Sequence, residues 1–207
     1  MASETLTVSS AAAFLWFAVA VSLSPGPNNL LIASTTVGRS FRTAVPAILG
    51  VSCGFLLLLL VSVLGLGSLI QESRPLGLGL QVAGGLYLVY LAYKIFTSAP
   101  SGATSTDVVA GFWKLFWLQL VNPKAWIMAL TTSATYSQAF GTGYSGAVLL
   151  AGCFTAVNLA SNSTWALIGV GAGRVVRSGR GQVWLNRTLA VLLAASVVVI
   201  LATEVRW

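Results

Sequence analysis

Six long apolar stretches dominate the chain, and most of its charged residues fall between them. They run from about Ser10 to Leu31, Thr43 to Ile70, Leu76 to Phe96, Gly111 to Ser133, Ser145 to Gly171 and Leu185 to Thr203. A helix needs roughly 20 apolar residues to cross the hydrocarbon core of a bilayer, so the pattern predicts six transmembrane helices. The connections are short. The longest, TSAPSGATSTD at residues 97–107, is a polar Ser/Thr/Gly linker with no core of its own. One transmembrane domain over 1–207 is therefore expected, with halves of about 8–100 and 108–207 joined by the polar loop at 97–107.

Two of the six stretches are interrupted: SPGPNNLL (Ser24–Leu31) closes the first, and NPKAW (Asn122–Trp126) breaks the fourth. Proline lacks an N–H and clashes with the carbonyl four residues back. Pro25, Pro27 and Pro123 should therefore release the carbonyls of Val21, Leu23 and Gln119. Lipid offers such groups no partner, so the breaks must face protein or a wet cavity. Beyond each break a half-helix should begin, near Asn28 or Lys124, with free N–H groups and a positive dipole end that favour anions. Freed carbonyls favour cations. A zwitterionic amino acid needs both kinds of group.

The interruptions also match each other. PNNLLIASTT (Pro27–Thr36) and PKAWIMALTT (Pro123–Thr132) share Pro27, Ala33, Thr35 and Thr36 with Pro123, Ala129, Thr131 and Thr132 at a constant offset. Halves of three spans each are related with inverted topology, because an odd number of crossings reverses direction. Inverted repeats with broken helices in matching places are a signature of secondary transporters. The expected fold is an all-α membrane protein of two inverted three-helix repeats, with helices one and four broken at proline.

Charge sets the orientation. Arg39, Arg42, Lys94, Lys114, Arg174, Arg177, Arg180 and Arg187 follow spans one, three and five, whereas only Arg74 and Arg206 lie on the other side. By the positive-inside rule both termini are expected outside. Trp113, Trp117, Trp184 and Trp207 near the boundaries suit interfacial anchoring. A cleaved signal peptide is not expected, because no Lys or Arg precedes Ala11.

Composition closes several function classes. Only 7% of residues are charged and 57% are hydrophobic, against roughly 25% charged in soluble domains. The net charge of +7 forms no basic stripe, so no nucleic-acid partner is expected. Histidine is absent and no CxxC occurs, which removes the usual zinc and haem spacings and any histidine base. No cofactor or metal is implied.

At these residues the chain resembles the LysE/RhtB family of amino-acid exporters. SPGPNNLL, GGLYLVYLAYK at the end of span three and FWLQLVNPKAW in span four carry the resemblance, which extends over essentially the whole chain. It implies a secondary carrier of the bacterial inner membrane, not an enzyme, that exports amino acids or related metabolites. Its implied partners are a small solute, a coupling ion (proton or sodium) and the bilayer; a homo-oligomer is compatible with it. The substrate is left open.

The candidate solute-binding residues are Pro25, Gly26, Pro27, Asn28, Asn29, Asn122, Pro123, Lys124, Asn158, Asn162, Tyr87 and Tyr90. Asn28, Asn29 and Asn122 can donate and accept at once, and capping the freed backbone is their other reading. Lys124 lies inside a span, where burial costs roughly 2.5–3.5 kcal/mol on insertion scales; a solute carboxylate or snorkelling to the interface would explain it. Asn158 and Asn162 share a helix face with Thr155 and Trp165, as cavity lining or as interhelical glue. Tyr87 and Tyr90 line a cavity or, with Tyr93, join an interfacial belt. Gly50 with Gly54, and Gly169 with Gly173, are small-xxx-small pairs suited to close helix packing.

Two other functions compete. Cys53 and Cys153 fall in matching spans, as a thiol carrier would need, but they lack polar activating neighbours, and buried packing is the expected role. An inorganic-ion exporter would want carboxylates or imidazoles. No Asp or Glu lies within a span, so such a site is hard to build.

Overall fold

With no water to satisfy the backbone at membrane depth, apolar sequence can bond only within its own helix, and helices follow the apolar pattern. The computed structural model describes residues 8–66, 74–97, 111–141, 143–175 and 179–202. Among these, all regular structure is helical: α1 (Val8–Leu23), α2 (Pro27–Thr36), α3 (Val45–Val61), α4 (Arg74–Phe96), α5 (Phe112–Val121), α6 (Pro123–Tyr136), α7 (Gly143–Val175) and α8 (Gly179–Ala202). A 3₁₀ turn (Phe41–Ala44) leads into α3, and a π-wound stretch (Ser62–Leu66) follows it.

Phe41–Gly65 and Gly143–Val175 are each long and apolar enough to cross a membrane. Ser9–Leu23 and Pro27–Thr36 pass the same test as one pair bent by 57°. Both half-helices start as the local chemistry requires. Proline stands first in α2 and α6, where its missing N–H costs nothing. The residue before it, Gly26 or Asn122, is extended, as a pre-proline residue prefers.

Several boundaries differ from the expectation. The first break lies in the middle of its bent pair rather than at its end, because α2 continues to Thr36. The polar run Ser34–Thr36 does not end the helix: Ser34, Thr35 and Thr36 donate their hydroxyls to the carbonyls of Leu31, Ile32 and Ala33 and are all buried. Likewise α6 runs on to Tyr136, α7 spans Gly143–Val175, and α8 starts at Gly179 instead of near Leu185. The predicted continuation of the second span over residues 67–70, most of the polar loop, Arg177, Arg206 and Trp207 lie outside the described residues.

Packing is closest where glycines allow it. α3 lies along α5, α2 on α7 and α4 along α8. A Cβ added to Gly54 would stand 2.8 Å from the Phe116 carbonyl oxygen, and one on Gly50 would run into the carbonyl of Phe112. Gly169 faces the Ala33 carbonyl and Thr36; Gly173 faces Gly38, which turns the chain after α2 at φ +68°. Both small-residue pairs therefore pack backbone on backbone. Trp113, Trp117 and Trp184 are exposed.

The buried apolar residues form two clusters with a polar layer between them. One gathers Leu30, Val51, Leu118 and Ala166 with much of α4 and α8. The other gathers Phe14, Ala18, Phe55, Ala125 and Phe154. Along α1–α2, α3, α5–α6 and α7 the polar residues come between a member of one cluster and a member of the other: Ser22 to Asn29, Ser52, Gln119 to Lys124, and Asn158 to Asn162. These polar side chains thus meet at one level.

Candidate functional site

At that level lies a cavity lined by Val21, Ser22, Gly26, Pro27, Asn28, Asn29, Phe55, Gln119, Asn122, Lys124, Ala125, Met128, Asn158 and Asn162. Eight of the residues expected from the sequence are in this lining, and Pro25 and Pro123 adjoin it in the chain. Tyr87 and Tyr90 are not. Tyr87 packs against the first apolar cluster with its ring 6.2 Å from that of Tyr90, and Tyr90 is half exposed with the Lys94 ammonium 5.6 Å from its ring centre. Both lie on α4 away from the breaks.

The first break is bonded by distant parts of the chain. Ser24 Oγ donates to the Val21 carbonyl at 2.7 Å, and Trp165 Nε1 donates to that of Leu23 at 3.2 Å. The Ser22 carbonyl accepts from Asn29 Nδ2 at 2.7 Å and Ser161 Oγ at 2.8 Å. Asn29 Nδ2 also reaches the Ser24 carbonyl at 2.9 Å. The Val21 and Leu23 carbonyls, expected to stand free, are therefore engaged, by Ser24 within the break and by Trp165 of α7. The N-terminus of α2 has no such service: no side chain caps it.

The second break is closed locally. Asn122 Oδ1 accepts the Lys124 N–H at 3.1 Å, its carbonyl accepts from Ala125 and Trp126, and its own N–H bonds Gln119 at 3.3 Å. Asn122 thus acts as an N-cap, as both its chemistry and its position suggest. Lys124 reaches across to the first break. Its Nζ donates to Ser24 Oγ at 2.8 Å and to the Ser24 carbonyl at 3.1 Å, and lies 3.5 Å from that of Pro25. Gly26 makes room for it, since a Cβ there would stand 2.7 Å from Nζ.

Gln119 ties the two breaks together, a role the sequence reading missed. It is buried; Nε2 donates to the Val51 carbonyl at 3.1 Å, while Oε1 accepts from Asn28 Nδ2 at 2.8 Å and Asn122 Nδ2 at 3.3 Å. The available signal was one amide in an otherwise apolar run, FWLQLV. On α7, Asn162 Nδ2 donates to Asn158 Oδ1 at 2.7 Å, and Ser52 stands 3.4 Å from both amides. Two buried oxygens on lining residues, Ser22 Oγ and Asn28 Oδ1, have no partner among the described residues. The cavity therefore offers an open acceptor, a hydroxyl, a lysine ammonium and an uncapped helix start. Together these groups are complementary to both charges of a small zwitterion.

The cysteines lie elsewhere. Cys53 is exposed rather than buried as expected, because its position on α3 points away from both clusters, and Cys153 is half-buried beside the aromatic residues. Neither lines the cavity.

A family model described as LysE type translocator matches residues 6–203. The chain belongs to the LysE type translocator family. It is a transporter, not an enzyme. This translocator has relatives named cysteine/O-acetylserine efflux protein. One from Klebsiella pneumoniae is 29% identical over 188 residues, covering 90% of this chain and 96% of the relative. Those of Salmonella typhimurium and Escherichia coli are each 32% identical over 186 residues, covering 87% and 92%. No solved structure matches the chain.

Proposed function

We propose that this translocator is a secondary-active exporter of amino acids or amino-acid-like metabolites. It works by alternating access in the bacterial inner membrane. The observation that carries the proposal is the meeting of both proline breaks at one cavity of complementary polarity. The solute carboxylate sits at the uncapped start of α2 with Lys124 beside it. Its ammonium takes the Ser24 hydroxyl and the Ser24 and Pro25 carbonyls that Lys124 now faces, with Asn28 Oδ1, Ser22 Oγ and the Asn158–Asn162 pair lining the space beside it. A short neutral side chain then faces Val21, Phe55, Ala125 and Met128. The names of the relatives point to the same chemistry, and L-cysteine and O-acetyl-L-serine are the first solutes to test.

In this reading the chain forms one domain of six spans in two inverted halves, with both termini outside. The proline breaks at matching places in the two halves and the charge asymmetry of the loops support it. The carbonyls at the first break already hold protein donors, which favours a proton over sodium as the coupling ion.

The test is efflux from loaded cells across a panel of amino acids and analogues, with the proton and sodium gradients collapsed separately. Export of a neutral amino acid that stops with the proton gradient is the expected result. Asn122→Ala should lose that export while remaining in the membrane. Full export by a well-expressed Asn122→Ala protein overturns the site.

A further inference from the structure

On the basis of that export reading, we infer that Lys124 also serves as an internal stand-in for the solute's ammonium group, closing the carrier on its solute-free return. An ammonium group has three N–H donors and no acceptor. Lys124 Nζ lies against Ser24 Oγ, the Ser24 carbonyl and the Pro25 carbonyl at 2.8, 3.1 and 3.5 Å. Three neutral oxygens of one half are thus gathered around a cation supplied by the other. A solute ammonium entering the first break would seek this same seat.

The remaining space agrees. The cavity leaves only about 20 Å³ of open space, near the size that admits a single water and too small for an amino acid. Lys124 lies over Gly26, so the lysine itself fills the seat. A solute must displace it, and brings a carboxylate that gives the displaced ammonium a new partner at the start of α2. Lys124 therefore has two positions, one with solute and one without.

The consequence concerns the return step. If no cation covers them, the Ser24 and Pro25 oxygens must go through the solute-free crossing between the two access states less well satisfied, which is costly in a low-dielectric medium. Net export needs that crossing in every cycle. Exchange of solute for solute does not, because solute is bound in both directions.

The experiment compares the two modes in vesicles containing the full chain and radiolabelled L-cysteine kept reduced, at saturating concentration. Net efflux into solute-free medium is measured beside exchange against external L-cysteine. In Lys124→Met both rates fall, and the ratio of net efflux to exchange drops about tenfold, equivalent to about 1.4 kcal/mol on the return barrier. Gly26→Ala keeps the lysine but crowds its ammonium out of the seat, and lowers the ratio in the same direction. A ratio that stays at the wild-type value in both variants overturns the inference. If both rates fall together, Lys124 is a solute ligand only and the export site stands. If neither rate moves, Lys124 is outside the site and the export reading fails with it.

Discussion

The two proline breaks solve the same chemical problem in opposite ways. At the second, one asparagine closes the gap within its own neighbourhood, bonding Lys124 through its side chain and Ala125 and Trp126 through its carbonyl. At the first, the exposed carbonyls of Ser22, Leu23 and Ser24 depend on Asn29, Ser161, Trp165 and Lys124. A locally closed break is a rigid platform, suited to carrying a lysine into a cavity. A break held by remote donors changes its bonding whenever those elements move. The first is therefore the adaptable side of the site, and the second is its fixed side.

Substitutions can break or sharpen this contrast. Gln119→Leu removes three bonds, of which the one from Asn28 joins the breaks; interhelical hydrogen bonds in membranes average about 0.6 kcal/mol with a maximum near 1.7. It should lower stability by roughly 2–4 kcal/mol and stop export, read from unfolding in detergent and efflux from cells. Asn29→Leu removes two bonds at the first break and should cost about 1–3 kcal/mol on the same scale. Asn122→Ala removes chiefly a local cap, worth about 1 kcal/mol, so it loses export at a smaller cost in stability. If it destabilises more than Asn29→Leu, the second break is not the self-sufficient one. Trp165→Phe removes one bond, to the Leu23 carbonyl, and should cost about 0.6 kcal/mol, with export slowed rather than lost.

Much of this was legible in the sequence, because its strongest signals are local. Apolar runs fix where helices form, and proline fixes where they break. Asn28, Asn29, Asn122 and Lys124 could be chosen because they sit on the breaks. Asn158 and Asn162 could be chosen because helical spacing places them on one face. Gln119, Ser22 and Ser161 were not legible as site residues, since their roles depend on which helix passes opposite them. Tyr87 and Tyr90 failed for the same reason: periodicity gives a shared face but not its direction. The end of α2 was misjudged because hydropathy counts Ser34, Thr35 and Thr36 as polar, whereas each hydroxyl is satisfied within its own helix.

The remote bonding of the first break also bears on how the protein is made. Lys124, Ser161 and Trp165 lie 100, 139 and 142 residues from the carbonyls they serve. At synthesis rates of about 5–20 residues per second, those donors follow after roughly 5–30 s. During that interval the newly inserted first half must find water or an insertion partner for its bare peptide groups. Split into two polypeptides, the amino-terminal piece should be short-lived in cells and should persist when its carboxy-terminal mate is produced beside it.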